Sequence, residues 1–356
     1  MKNNRSLILV ALALLVFSSC KVEFSPNAPW REVPAVYCVL DPEEDTVWVR
    51  VQKCYLGEDN LYNYSTIADS NYYPQDYISV HLLAWKGKHG NYNSLTATDQ
   101  LVDRWDLTYT EINGKPEGHF PSGLQPVYYC VPGKRLEADS DCVFQLVILH
   151  NATGDTLAKA TTTMVGFLEK KISGRDTIEE VLLDPNDARG HEFGFIIGSR
   201  GNIESRTLPR GRMYQPIITF YYKKKGDTLS IDIPGAIYKN TNYASRFKYK
   251  PVSQERFLSY IKRALADNTD SLFNVNNVDI TIAVCNEDLN AYIASQDVTV
   301  TGGQDFRIYS NIEGGVGVFG SRRAHIVVNV PCDSTGKPDY IPDQLRKLGV
   351  GFYGSF

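Results

Sequence analysis

The chain has 356 residues, 43% of them apolar, and a formal charge of −4. Removing Lys2 and Arg5 of the N-terminal leader takes the charge to −6, and this mild acidity excludes the basic face that a nucleic-acid partner demands. Tyrosine is abundant at 22 and methionine scarce at 3, a balance that suits half-buried sheet faces better than helical bundles.

Residues 1–19 read as a lipoprotein signal peptide. Lys2 and Arg5 form a basic start, Leu7 to Phe17 an apolar core, and Ser18-Ser19-Cys20 a small-residue ending. The apolar run is too short to cross a bilayer of ~30 Å as a stable helix. Cys20 is therefore the expected lipidation site. Acyl chains at ~0.8 kcal/mol per buried CH₂ make such an anchor effectively permanent. Lys21 stands where many lipoproteins retained in the inner membrane carry aspartate, so the expected address is the outer membrane, with either face open.

Residues 20–30 form a lipidated tether. Strand-like runs follow at Pro34–Leu40, Thr46–Tyr55, Tyr77–Trp85, Arg104–Ile112, Val127–Val131, Cys142–His150 and Thr156–Val165. The last two are joined through Asn151-Ala-Thr-Gly-Asp155 as a hairpin. Together they predict an antiparallel β-sandwich of immunoglobulin or transthyretin type over residues 31–165. A second β-rich module is predicted over 166–356, with strands at Phe193–Ile197, Ile217–Lys223, Thr228–Ile233, Val278–Val284 and Arg322–Val330. It carries a helix at 253–266, capped by Ser253, and a shorter one at 287–295. The fold class is thus mostly β with a minor α part. The Pro- and Gly-rich tail from Pro331 reads as loosely packed.

Apart from Cys20, six cysteines remain, and they allow fifteen pairings. Cys130 and Cys142 are the best local disulfide candidates, because the segment between them is turn-rich. Buried thiols are the competing reading. Gly315-Val-Gly317-Val-Phe-Gly320 matches a dinucleotide fingerprint, but a strand follows where a helix is required, so the glycines read as a bend. Asp184 to Glu192 lacks the acid that would complete a calcium loop, and reads as a polar turn. No sequence element points to a catalytic residue, a metal or a cofactor. The Tyr- and Asn-rich stretch with Tyr62, Tyr64, Tyr72 and Tyr73 is a candidate contact surface. Asp-Ser/Thr triplets resemble the O-glycosylation acceptors of Bacteroidota periplasmic and surface proteins at Thr46, Thr156, Thr177, Thr228, Ser271 and Ser334. Ordinary hairpin chemistry explains the same pattern.

The phrase Tyr309-Ser-Asn311-Ile-Glu-Gly314-Gly-Val-Gly317-Val-Phe319-Gly320 and the opening VPAVYCVLDPEEDTVWVRVQKCYLGE resemble a family of Bacteroidota outer-membrane lipoproteins. That family is designated domain of unknown function four-two-four-nine, and the resemblance extends to it or a close relative. It implies a sandwich start, a helix-containing second half and no transferable catalytic residue. Members are often encoded near TonB-dependent transporters, which implies a non-enzymatic binding or accessory role beside such a protein. The alternative is a surface glycan-binding protein or glycoside hydrolase. This predicts exposed aromatics on one sheet, with Trp85, Trp105 and the tyrosines as candidates, and for a hydrolase two carboxylates ~5–10 Å apart.

Overall fold

The computed structural model describes residues 32–54, 61–86, 95, 99–115, 118, 121–138, 142–166, 178–181, 192–197, 210–240, 247–296, 309–331 and 340–355. The signal peptide, Cys20, the tether, the 184–191 turn, Thr177, Ser334 and the side chain of Tyr62 lie outside the described residues.

The N-terminal part supplies β1 (Val33–Leu40), β2 (Val47–Cys54), α1 (Leu61–Ser65), α2 (Ala68–Asn71), β3 (Ile78–Lys86), β4 (Gln100–Asp106), β5 (Thr108–Lys115), β6 (Gly123–Cys130), α3 (Lys134–Ala138), β7 (Val143–His150) and β8 (Thr156–Thr163). Next come β9 (Ile178–Val181), β10 (Glu192–Ile197), β11 (Met213–Lys224), β12 (Asp227–Pro234), β13 (Tyr238–Lys239), β14 (Phe247–Ser253) and α4 (Gln254–Ala264). The chain closes with β15 (Leu272–Cys285), α5 (Glu287–Gln296), β16 (Val316–Pro331), α6 (Tyr340–Lys347) and β17 (Phe352–Ser355). The protein is mostly β with a minor helical part, as its patterning predicts.

A ten-stranded sheet has the order β12-β11-β15-β16-β1-β2-β6-β5, with β13 beside β11 and β17 beside β15. A four-stranded sheet, β4-β3-β7-β8, shares a core with the β1-β2-β6 end of the long sheet. Side chains alternate in and out because successive strand residues face opposite ways. Val47, Val49 and Val51 of β2 thus meet Val80, Leu82 and Phe144 inside. Each such burial contributes about 1.5–3 kcal/mol before chain entropy is counted. A second core forms where α4 lays Phe257, Ile261 and Leu265 on the β11–β15 part of the long sheet. Ser253 caps α4 by accepting from the Arg256 N–H at 3.2 Å.

Four expectations change. The run 104–112 is two strands: β4 and β5 lie in different sheets, and the chain turns the corner where Leu107 N–H donates to the Val80 carbonyl at 2.9 Å. The sandwich is not wholly antiparallel, since β16 pairs in parallel with β1, Ala35 to Val316 through Leu40 to Ser321. A split at 165/166 does not describe the packing either. The first half of β16 completes the sandwich and places Phe319 in its core, with Ile312 from the segment before it, while Val165 joins the second core. Beyond Ser321 the same strand pairs with β15, Cys285 to Arg322 through Asn277 to Pro331. Nor is the described part of the tail loose, because Leu345, Val350 and Phe352 are buried in the second core.

Candidate functional site

Strand β2 carries the clearest departure from ordinary patterning. Its valines point inward, so Thr46, Trp48, Arg50 and Gln52 take the outer face of the long sheet. Trp48 is 48% exposed and sits directly opposite Tyr129 of β6, their ring centroids 5.3 Å apart and the planes tilted by 34°. Val131, one outward position beyond Tyr129, is 61% exposed. Arg50, half-buried, lies opposite Tyr37 of β1, which is 38% exposed. On its other side Tyr37 meets Tyr292 of α5 edge-on at 6.2 Å. Burial, and then the Tyr37 hydroxyl, hold the Tyr292 hydroxyl above its ordinary pKa. Helix α5 covers the neighbouring β16, where Leu289 approaches Gly320 so closely that a Cβ there would stand 2.9 Å from it. The open aromatic face is therefore bounded by α5 on one flank. On the other it meets Tyr72, which bridges to Gln52 and feels the Arg50 charge.

This platform uses other tryptophans than the sequence suggests. Trp105 is buried under the sandwich, with the Arg135 guanidinium 5.7 Å from its ring, and Trp85 is half-buried on the opposite sheet. The signal was present in Val-Trp-Val-Arg-Val, where a tryptophan occupies the polar phase of an alternating strand.

The described tyrosine side chains of this stretch do not form an open contact surface. Tyr72 and Tyr73 are buried and Tyr64 is half-buried. The Asn71 amide donates to the carbonyls of Tyr64, Ser65 and Ile67 at 3.3, 3.1 and 2.7 Å, which closes the α1–α2 turn on itself. Tyr73 stacks on Tyr77 at 5.6 Å beneath Lys53, and Tyr77 donates to Glu32 at 3.3 Å. Apolar rings of this size gain more by covering the sandwich end than by remaining in water.

Cys130 and Cys142 are two buried thiols without a disulfide between them. Cys130 ends β6 in the long sheet, whereas Cys142 precedes β7 in the other sheet, with α3 between them, so they never face across a hairpin. Burial pushes the Cys130 thiol up to about 12, which removes the thiolate that oxidation needs. Of the glycosylation candidates, Thr156, Thr228 and Ser271 are exposed and Thr46 is half-buried two residues from Trp48.

The glycine-rich phrase serves packing. Gly317 has φ +118°, and a Cβ there would lie 2.0 Å from the Val36 carbonyl oxygen. Asn311 spans the turn, accepting from Phe319 N–H at 3.0 Å and donating to the Phe319 carbonyl at 2.8 Å. Beside it lies a polar seam between the two cores. Asn286 donates to Thr162 Oγ1 at 2.7 Å and the Thr163 carbonyl at 3.0 Å, and accepts from Leu289 and Ser321 N–H groups at 3.1 and 3.2 Å. Asp288 accepts from Thr162 and Tyr309, both at 2.8 Å, yet burial still raises its carboxyl pKa.

One Ser–His–Asp chain does occur. His81 lies 2.6 Å from Asp106 through Nδ1 and 3.2 Å from Ser79 Oγ through Nε2. Arg104 shares the same Asp106 oxygen at 2.8 Å, and this bond, ahead of any from His81, holds the Asp106 carboxyl below its ordinary range. The carboxylate is 66% exposed, and β3 is an inner strand whose ladder with β7 covers Ile78–Trp85. Its backbone serves the sheet, where an acyl-transfer site would aim N–H groups at an oxyanion. The arrangement is a surface hydrogen-bond relay. Among the described residues no group of three or more His, Cys, Asp or Glu side chains converges as a metal site.

No protein-family model matches the chain, and no curated protein matches it. The family resemblance rests on the two quoted phrases alone.

Proposed function

We propose that the protein is a lipid-anchored outer-membrane lipoprotein with a non-enzymatic binding role, placed beside a TonB-dependent transporter. The observation that carries this is the order of basic start, apolar core and Ser18-Ser19-Cys20. Glu32 lies twelve positions after Cys20, a reach of at most roughly 40 Å at full extension. Such a tether keeps the start of β1 near the lipid headgroups. Exposed Trp48 beside half-buried Tyr129 favours a second reading within the same setting, a glycan-binding surface protein.

Labelled-palmitate incorporation with membrane fractionation tests the anchor. Wild type should label and sediment with membranes, while Cys20→Ser should lose the label. Equal labelling of the two, or a mature wild-type chain wholly in the soluble fraction, overturns the anchor. Pull-down from detergent-solubilised outer membranes tests the partner, and recovery of the lipoprotein alone argues against the transporter association.

A further inference from the structure

We infer that the outer face of β1, β2 and β6 binds a saccharide carrying a carboxylate, with one pyranose stacked on Trp48 and its acid held by Arg50. This deepens the glycan-binding reading and is independent of the lipid anchor.

The geometry carries the assignment in three steps. Trp48 and Tyr129 present adjoining rings on an otherwise water-facing sheet, tilted by 34°. A tilted, half-open pair offers no parallel slot for a flat aromatic ligand. It does offer a broad negative π face, which attracts the positively polarised C–H groups on one side of a sugar ring. Arg50 follows two residues later on the same face, ~6.6 Å along the strand, close enough for its side chain to reach the exocyclic acid of a ring stacked on Trp48. It has no ion pair or hydrogen bond among the described residues, whereas nearby cations are engaged: Arg322 with Asp41 at 2.8 Å, and Lys53 with the Asp69 carbonyl at 3.1 Å. With no acid paired to half-buried Arg50 among the described residues, its guanidinium fork is available to a carboxylate from outside.

Charge narrows the ligand further. The chain is acidic, so its overall field gives an anion no pull and the local charge of Arg50 must supply it, while one cation is too few to track a nucleic-acid backbone. The recognised unit is a single acidic sugar within a chain whose neighbours rest on Tyr129 and Val131. Helix α5 and Tyr72 bound the face on both sides of Arg50 and limit how the sugar turns.

The full-length protein in detergent micelles is titrated calorimetrically with galacturonate, glucuronate and mannuronate oligomers. The neutral galactose, glucose and mannose oligomers are run beside them. At least one uronate should bind, with its neutral counterpart at least tenfold weaker. Trp48→Ala should abolish binding. Arg50→Met keeps the apolar stem and should weaken the uronate by roughly ten- to a hundredfold, removing the preference for charge. Unchanged melting curves for both variants separate loss of the site from loss of the fold. Binding by none of the uronates, equal binding of acidic and neutral oligomers, or full affinity in Trp48→Ala overturns the proposal. So does Trp48-dependent capture of a stoichiometric membrane protein without saccharide binding, which would give the face to a protein partner. None of these readouts depends on whether Cys20 is acylated.

Discussion

The seam between the two cores and the aromatic face beside it break the same rule in opposite directions. At the seam, Asn286, Ser321 and Thr162 are polar where alternation calls for apolar side chains. On the face, Trp48 and Tyr129 are large rings where it calls for polar ones. Burying a polar group costs free energy unless its hydrogen bonds are replaced, and the seam replaces them: Ser321 donates to the Thr163 carbonyl at 2.7 Å and accepts from Val165 N–H at 3.0 Å. The seam is complete within the chain. Exposed Trp48 and its half-buried neighbour Tyr129 have no comparable return from inside the molecule, and an unexplained apolar patch rimmed by charge marks a surface built for something else. Satisfied irregularities thus point to architecture and unsatisfied ones to binding.

Perturbing each place should show that difference. The largest effect is expected for Gly317→Ala at the closing strand. Overpacking against the Val36 carbonyl and the positive φ together cost about 3 kcal/mol or more, read as a lower urea midpoint and loosened protection in both modules. A midpoint within experimental scatter of wild type would show that β16 does not lock the seam. A smaller effect with a definite sign is expected at Asp288. Its carboxyl is held above the ordinary value of 3.8 in the native state, mainly by burial. The native chain therefore retains a proton that the unfolded chain has already released, and stability falls as pH rises from 3.8 through the raised value. Asp288→Asn should remove that slope, so its midpoint gains on wild type as pH climbs and the two converge below pH 3.8. Parallel curves would contradict the assignment. The smallest stability effect is expected at the face, where Trp48→Ala should stay within about 0.5 kcal/mol of wild type, as exposed substitutions usually do. Thermal denaturation measures it, and a large drop would make Trp48 a structural residue.

Much of this architecture was legible from period alone. Val36, Cys38 and Leu40, and Val47, Val49 and Val51, mark two strands and their buried faces without any structure. Phe257, Ile261 and Leu265 mark the helix behind Ser253. What period cannot convey is which strands meet. Nothing in Val316 to Ser321 announces Ala35 to Leu40 as its partner, and nothing in Leu107 shows that the chain changes sheets there. The buried tyrosines misled for the same reason, because Tyr72 and Tyr73 look like a loop composition and owe their burial to β2 and Lys53. The platform was half legible: Trp48 stood out of phase in its strand, but its partner Tyr129 is 81 positions away.

The parallel contact of Ala35 with Val316 joins residues 281 positions apart. A polypeptide is made N-terminus first, so β1 must wait, with that edge unpaired, until nearly nine-tenths of the chain has been made. Long-range pairings of this kind are slow to form, and open strand edges are templates for aggregation in the meantime. Biogenesis of this protein therefore has a vulnerable interval that ends only when the glycine-rich segment arrives. A chain stopped short of residue 316 would leave β1 without its parallel neighbour, making such fragments natural clients for a holdase chaperone or a protease.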